Sequence, residues 1–262
     1  MRHPTRLIPL AVTLLACAFL LVPIVQSVLA GLTVNYFRGL SSGLTLKWVG
    51  EVWGLYASSI LLSIWLALAC LAVTLVLGVP AAYALARRPG RAARVLEEFI
   101  SLPLAVPGLA LALALLQLYG SYSGFRTSWA FILVGHVLYT LPFMVRSVLA
   151  VLAAIDLKTL EEGAATLGAG PARRFVDIVV PNALPGILAG ALTVVTLSIG
   201  EFNLTWMLHT PYLKTLPVGL ADSYASMRLE IASAYTLVFF VMIVPLLVAM
   251  QWASARAQRI LS

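Results

Sequence analysis

The stretch from Asp156 to Pro181 reads Asp156-Leu-Lys-Thr-Leu-Glu-Glu162-Gly163-Ala164-Ala-Thr-Leu-Gly168-Ala-Gly-Pro171-Ala-Arg-Arg-Phe-Val-Asp-Ile178-Val-Val-Pro181. It parses as two short helices joined by a turn. Thr159 followed three residues later by Glu162 is a capping box, which puts the first helix at about 160–167. Gly168 stands where a left-handed C-terminal cap belongs. Gly170 precedes Pro171, and proline is favoured at the first position of a helix. The second helix is expected to end by Pro181, with Phe175, Val176, Ile178 and Val179 as its apolar face. A plain connector on a membrane surface needs no such pair of capped helices. Alanine and glycine at the bend let another backbone come close, which suits docking into a groove on a soluble partner.

The sequence around this loop is that of a membrane protein. Of 262 residues, 61% are apolar and 10% are charged, against about 45–50% and about 25% in soluble domains. That excludes an ordinary cytosolic enzyme, a disordered chain and a nucleic-acid binder. A bilayer-crossing helix needs about 20 mostly apolar residues. Six runs qualify, at roughly 7–31, 56–86, 98–119, 129–153, 183–208 and 232–253. The expected fold is all-α: one polytopic membrane domain over 1–262 with six transmembrane helices. Prolines interrupt the spans, and Pro103 with Pro107 should make the third the most bent. The first run is longer than a secretory apolar core of about 7–15 residues, so it reads as an uncleaved signal anchor. Cys17 and Cys70 both lie in apolar runs and read as buried inert thiols. No metal ligand set is expected.

Orientation follows from the distribution of lysine and arginine. With the N-terminus inside, the inner segments hold Arg2, Arg6, Arg87, Arg88, Arg91, Arg94, Arg146, Lys158, Arg173, Arg174, Arg256 and Arg259. The outer segments hold Arg38, Lys47, Arg126, Lys214 and Arg228. Both termini and the 154–182 loop are therefore expected to be cytoplasmic. Trp48, Trp53, Trp129 and Trp252 sit at span ends and suit contact with interfacial membrane lipid. The outer loop 32–55 has room for a short interfacial helix.

The 154–182 segment resembles the EAA coupling loop of permease subunits in ATP-binding-cassette importers. That family's pattern is Glu-Ala-Ala, three residues, Gly, nine residues, Ile-x-Leu-Pro. Here Glu162, Ala164, Gly168, Ile178 and Pro181 fall on it with correct spacing, while Gly163 replaces the first alanine and Val180 the leucine. The resemblance implies a type I importer permease (MetI-like) fold in the bacterial cytoplasmic (inner) membrane. It implies that Glu162, Gly163, Ala164, Gly168, Ile178 and Pro181 couple the chain to an ATP-binding-cassette ATPase dimer. It also implies a second permease subunit, different or identical, and an extracytoplasmic substrate-binding protein. No cofactor is expected on this chain, ATP-Mg being held by the ATPase subunits.

Within the spans, ionisable residues mark function by default, because charge is costly at mid-membrane. Glu201 lies in the expected fifth span, within Ser198-Ile-Gly200-Glu201-Phe-Asn203-Leu-Thr205-Trp206. Positions 198, 201, 205 and 208 share a helical face at i, i+3, i+7 and i+10. Ser198, Glu201 and Thr205, with Asn203 nearby, are thus candidates for a substrate pathway, an interhelical strut being the alternative. His136 reads as a neutral histidine bonded across helices. Arg146 lies close enough to an interface to snorkel. Gly186-Ile-Leu-Ala-Gly190 is a small-xxx-small face suited to close helix packing.

Gly-Glu-Phe at 200–202 and Thr215-Leu216-Pro217 look like permeases for polyamines, 2-aminoethylphosphonate, and molybdate or sulfate. The leading expectation is inward movement of a small polar solute bearing an amine, such as 2-aminoethylphosphonate or a polyamine. The alternative is a molybdate- or sulfate-type oxyanion. An intramembrane enzyme does not fit: there is no His-Glu-x-x-His arrangement and no glycine-rich nucleotide loop, so the chain is not expected to be an enzyme. A secondary transporter should show paired repeats with broken helices, and would leave the docking loop without a task.

Overall fold

The computed structural model describes residues 7–261. Arg2, His3 and Arg6 lie outside the described residues, as does the side chain of Arg259. The architecture is all-helical: α1 (Leu7–Ala30), α2 (Lys47–Arg87), α3 (Arg91–Ala105), α4 (Gly108–Tyr119), α5 (Ser123–Arg126), α6 (Trp129–Ala153), α7 (Leu157–Thr166), α8 (Pro171–Arg174), α9 (Val180–Gly200), α10 (Asn203–Leu208), α11 (Leu216–Ala225) and α12 (Leu229–Leu261). Among the described residues, five helical stretches are long and apolar enough to cross a membrane, at 8–30, 47–87, 129–153, 171–200 and 229–252. A sixth arises if α3 and α4, bent by 102° at their junction, count as one broken span.

The third span is therefore corrected from a kinked helix to two helices. Pro107 lacks an N–H and disfavours helical backbone at the residue before it. Val106 is accordingly extended (φ −95°, ψ 128°). The 12 residues of α4 rise about 18 Å, short of the roughly 30 Å hydrocarbon core. Further upstream, the 32–55 loop, where a short helix was expected to fit, holds a 3-10 turn at Gly39–Ser42 and the start of α2, which kinks at Tyr56 (φ −128°, ψ 16°).

The chain divides into two compact units, one made of residues up to Ser58 with Gly219–Met242, the other of Ser59–Val218 with the chain from Ile243 on. In the first, the Ser27 hydroxyl donates to Thr236 Oγ1 at 3.3 Å. Gly31 lies so close to α12 that a Cβ there would stand 2.8 Å from Ala234 Cα. Only glycine permits that approach. Arg228 donates to Tyr56 Oη at 2.8 Å, and Glu230 accepts the Tyr36 N–H at 2.9 Å. Cys17, expected buried, is exposed. The reason is that α1 turns nearly its whole apolar surface outward, with Phe19 80% exposed.

In the second unit α6 packs along α9. Gly186 and Gly190 face α6 at close range: a Cβ on Gly186 would come within 3.0 Å of Val148 Cα, and one on Gly190 within 2.8 Å of Met144 Sδ. Such small-residue contacts supply the van der Waals packing that holds helices together in lipid. Met144, Val148 and Leu152 of α6, Val179, Ala183 and Val194, and Val79, Ala82 and Leu85 of α2 form one buried cluster. Leu157, the first residue of α7, is anchored in the same cluster.

Candidate functional site

Helix α7 begins earlier than the capping-box reading places it. Its N-cap is Asp156, whose carboxylate accepts the Thr159 N–H at 3.2 Å and the Thr159 hydroxyl at 2.7 Å. The hydroxyl and then the N–H hold the Asp156 carboxyl below the ordinary carboxylate range. An ionised carboxylate at a helix start also meets the positive end of the macrodipole. Thr159 is thus an interior residue bonded to the cap, the helix having started three positions earlier at Asp156.

The helix closes as the glycine spacing predicts. Gly168 has φ +84°. Its N–H bonds to Ala165 C=O at 2.9 Å, and the Ala169 N–H to Ala164 C=O at 3.0 Å. These are the two hydrogen bonds of a Schellman cap. Leu167, at the tip of the turn, is 90% exposed. Gly170 and Pro171 then start α8.

The second helix does not stop at Pro181. A wider turn at Phe175–Val179, with the Val180 N–H on Phe175 C=O, leads directly into α9. Pro181 falls in the first turn of α9, just past the wider turn. The Asn182 side-chain amide donates to Ile178 C=O at 2.8 Å. Ile178 and Pro181 therefore sit on a continuous helical path from the turn into a span.

Of the two adjacent glutamates in α7, the motif residue Glu162 is exposed and pairs with Lys158 at 3.8 Å. Such a surface pair contributes about 0–1 kcal/mol. Its neighbour Glu161 is buried, accepts the Tyr83 hydroxyl at 2.5 Å and faces Arg87 Nε at 3.5 Å. The Tyr83 ring also lies 5.4 Å from that of Phe175. Motif spacing selects Glu162 and passes over Glu161. The available signal was the Leu157–Glu161 spacing of four, one inward face on a helix. Nearby, Arg146 pairs with Glu97 at 3.9 Å, and a cleft of about 640 Å³ opens between the end of α2, the start of α3 and α7.

The fifth span also breaks. Helix α9 ends at Gly200, Glu201 is extended (φ −69°, ψ 123°), and α10 restarts at Asn203. The uninterrupted face shared by Ser198, Glu201 and Thr205 is thus corrected, yet those three side chains still converge. Glu201 Oε1 accepts the Leu204 N–H at 2.8 Å, while Oε2 accepts the Thr205 N–H at 2.8 Å and the Thr205 hydroxyl at 2.6 Å. The carboxylate caps α10. At the other end Arg126 Nη1 donates to Leu208 C=O at 2.8 Å. A six-residue helix is too short to persist unaided; here each end of its dipole meets a charge of opposite sign. His136 bridges the break, with Nδ1 2.8 Å from Ser198 Oγ and Nε2 2.8 Å from Thr205 Oγ1. Ser198 and Thr205 are buried in this network, Glu201 is half-buried, and Asn203 is exposed. Among the described residues no three His, Cys, Asp or Glu side chains gather as a metal set.

Residues 75–259 match the family described as the binding-protein-dependent transport system inner membrane component. The molybdenum transport system permease protein ModB of Escherichia coli K12 is 36% identical over 129 residues, which are 45% of this chain and 55% of that protein. The chain thus spans little more than half the length of that relative. ModB of Haemophilus influenzae is 30% identical over 219 residues, 77% of this chain and 95% of the relative. Among solved structures, a chain of a bacterial ABC transporter involved in import of the acidic polysaccharide alginate superposes with a TM-score of 0.73 at 17% identity, over 96% of this chain and 98% of that one. A chain of the MetNI methionine ABC transporter in inward-facing conformations gives 0.64 at 19% identity, over 81% and 98%. At these identities the structures speak for the fold alone: the MetI-like fold that the sequence resemblance implies.

Proposed function

This chain belongs to the family of binding-protein-dependent transport system inner membrane components, and from that membership we propose that it is the permease subunit of an ATP-driven importer. One observation carries the reading. The 156–181 segment is a capped helix, a Schellman turn with Leu167 at its exposed tip, and a second helix that runs unbroken into a span. That is a rigid arm with a free end, suited to receiving movement from outside the membrane. An ATPase dimer binding ATP-Mg would close against the arm, and α8 and α9 would pass the displacement to the fifth span. A second permease subunit completes the path, and an extracytoplasmic binding protein delivers the solute. The excess of arginine and lysine on one side puts both termini and the arm in the cytoplasm.

For the solute, we favour a molybdate-type oxyanion over the amine-bearing solute that the sequence put first. The ModB relatives are molybdenum transport permeases. In addition, the carboxylate that would have attracted an amine is engaged: Glu201 accepts three hydrogen bonds within its own turn. Glu201 then serves the break in the span as a cap, and Asn203 is the polar side chain left free beside it. The test is uptake of labelled molybdate by proteoliposomes holding this chain, its ATPase and its binding protein. Uptake that requires ATP and survives excess 2-aminoethylphosphonate is expected. ATP-driven uptake of 2-aminoethylphosphonate with none of molybdate would restore the amine reading.

A further inference from the structure

We propose that Glu161, beside the motif carboxylate Glu162, is the positioning residue that carries movement of α7 into the second span, acting through Tyr83 and Arg87. The proposal rests on the importer reading above and names a joint within it. A carboxylate this buried, 4% exposed, is costly unless it is paired and hydrogen-bonded. Both partners lie in the last turns of α2, distant in sequence: the Tyr83 hydroxyl at 2.5 Å and Arg87 Nε at 3.5 Å. Glu162 makes no such link, its ion pair being with Lys158 on the same helix.

Three features make this contact a mechanical tie. Helix α7 has two inward anchors, Leu157 in the apolar cluster and Glu161 one turn later. One anchor allows a helix to pivot, while two fix its direction. Next, Tyr83 touches both arms of the bend, since its hydroxyl holds Glu161 while its ring lies against Phe175 beyond the turn. Last, the tie stands beside the cleft of about 640 Å³ whose walls include Leu85, Arg87, Leu157 and Glu161. Packing ties α7 to α2 at Leu157; one turn later, beside the open cleft, the polar contact of Glu161 supplies the second tie. With the tie cut, α7 can rock into the cleft and the stroke of the ATPase is spent there.

The experiment uses the complete transporter in proteoliposomes, reading ATP hydrolysis and molybdate uptake in parallel for wild type, Tyr83→Phe, Glu161→Gln and the double variant. Tyr83→Phe keeps the ring on Phe175 and removes only the hydroxyl. Uptake per ATP hydrolysed is expected to fall at least fivefold in each single variant, with the ATPase still bound. The double variant should be no worse than either single one, because the two groups act as one unit. An unchanged ratio in Tyr83→Phe overturns the proposal, and so does loss of ATPase binding in both singles while the chain still inserts, which would make the contact purely structural. If Glu161→Gln alone fails to assemble, Tyr83→Phe decides. A wild-type complex without ATP-driven uptake of any solute would instead overturn the importer reading, and the joint with it.

Discussion

Glu201 separates two roles that a carboxylate inside a membrane can play, solute attraction and helix capping. Its three acceptor contacts are all to Leu204 and Thr205. Glu201→Gln keeps one carbonyl oxygen and turns an amide donor toward a backbone N–H. That should destabilise the α10 turn by about 1–2 kcal/mol. For an oxyanion solute, uptake by the assembled complex should be maintained or increased, since a repelling charge has gone. Uptake that collapses while assembly and hydrolysis persist would return Glu201 to solute binding. The sequence shows Ser198, Glu201 and Thr205 as one polar set, and they do meet, around His136. Their means of meeting was not legible. A helix spacing assumes that the helix continues, and here a glycine at 200 ends it while the next side chain folds back onto the following turn. Glu161 was hidden for another reason: its spacing of four from Leu157 puts it on an inward helix face, but its partner Tyr83 lies in a distant part of the chain that no local pattern names.

At the scale of single elements, the arm was largely readable because caps are local. Gly168 and Pro171 mark their positions by backbone chemistry alone, and the structure gives Gly168 φ +84° with open space around it. Two substitutions there separate strain from docking. A Cβ at Gly168 would meet nothing within 4 Å, so Gly168→Ala should cost only about 1 kcal/mol of backbone strain and keep much of the coupling. Gly168→Asp adds a charge at the proposed docking surface and should abolish solute-stimulated hydrolysis while the chain still inserts. Equal behaviour of the two variants would place the requirement in the backbone alone. Gly163, where the family pattern has alanine, likewise faces open space. Gly163→Ala should stabilise α7 by about 0.5–1 kcal/mol, seen as slower amide exchange across 157–166. Unchanged exchange there would mean that α7 is held by its anchors and not by its own propensity. The breaks in the third and fifth spans were less readable. Proline pairs announce a bend, but whether a bend becomes a 102° turn depends on what each half packs against.

For the whole molecule, hydropathy placed the candidate spans, because a bilayer imposes length on any chain that crosses it, and charge supplies the proposed orientation. The division into two compact units left no mark on composition, since both are equally apolar. Everything functional then turns on which side of the membrane the arm occupies and what covers its tip. Leu167 is the residue to ask, being 90% exposed at the turn. Leu167→Cys, in a chain whose exposed Cys17 is changed to serine, can be challenged with a membrane-impermeant maleimide. Labelling is expected in inside-out vesicles stripped of the ATPase, suppressed when the ATPase rebinds, and absent from right-side-out vesicles. Labelling from the outer face, or labelling indifferent to the ATPase, would contradict the docking role on which the importer reading stands.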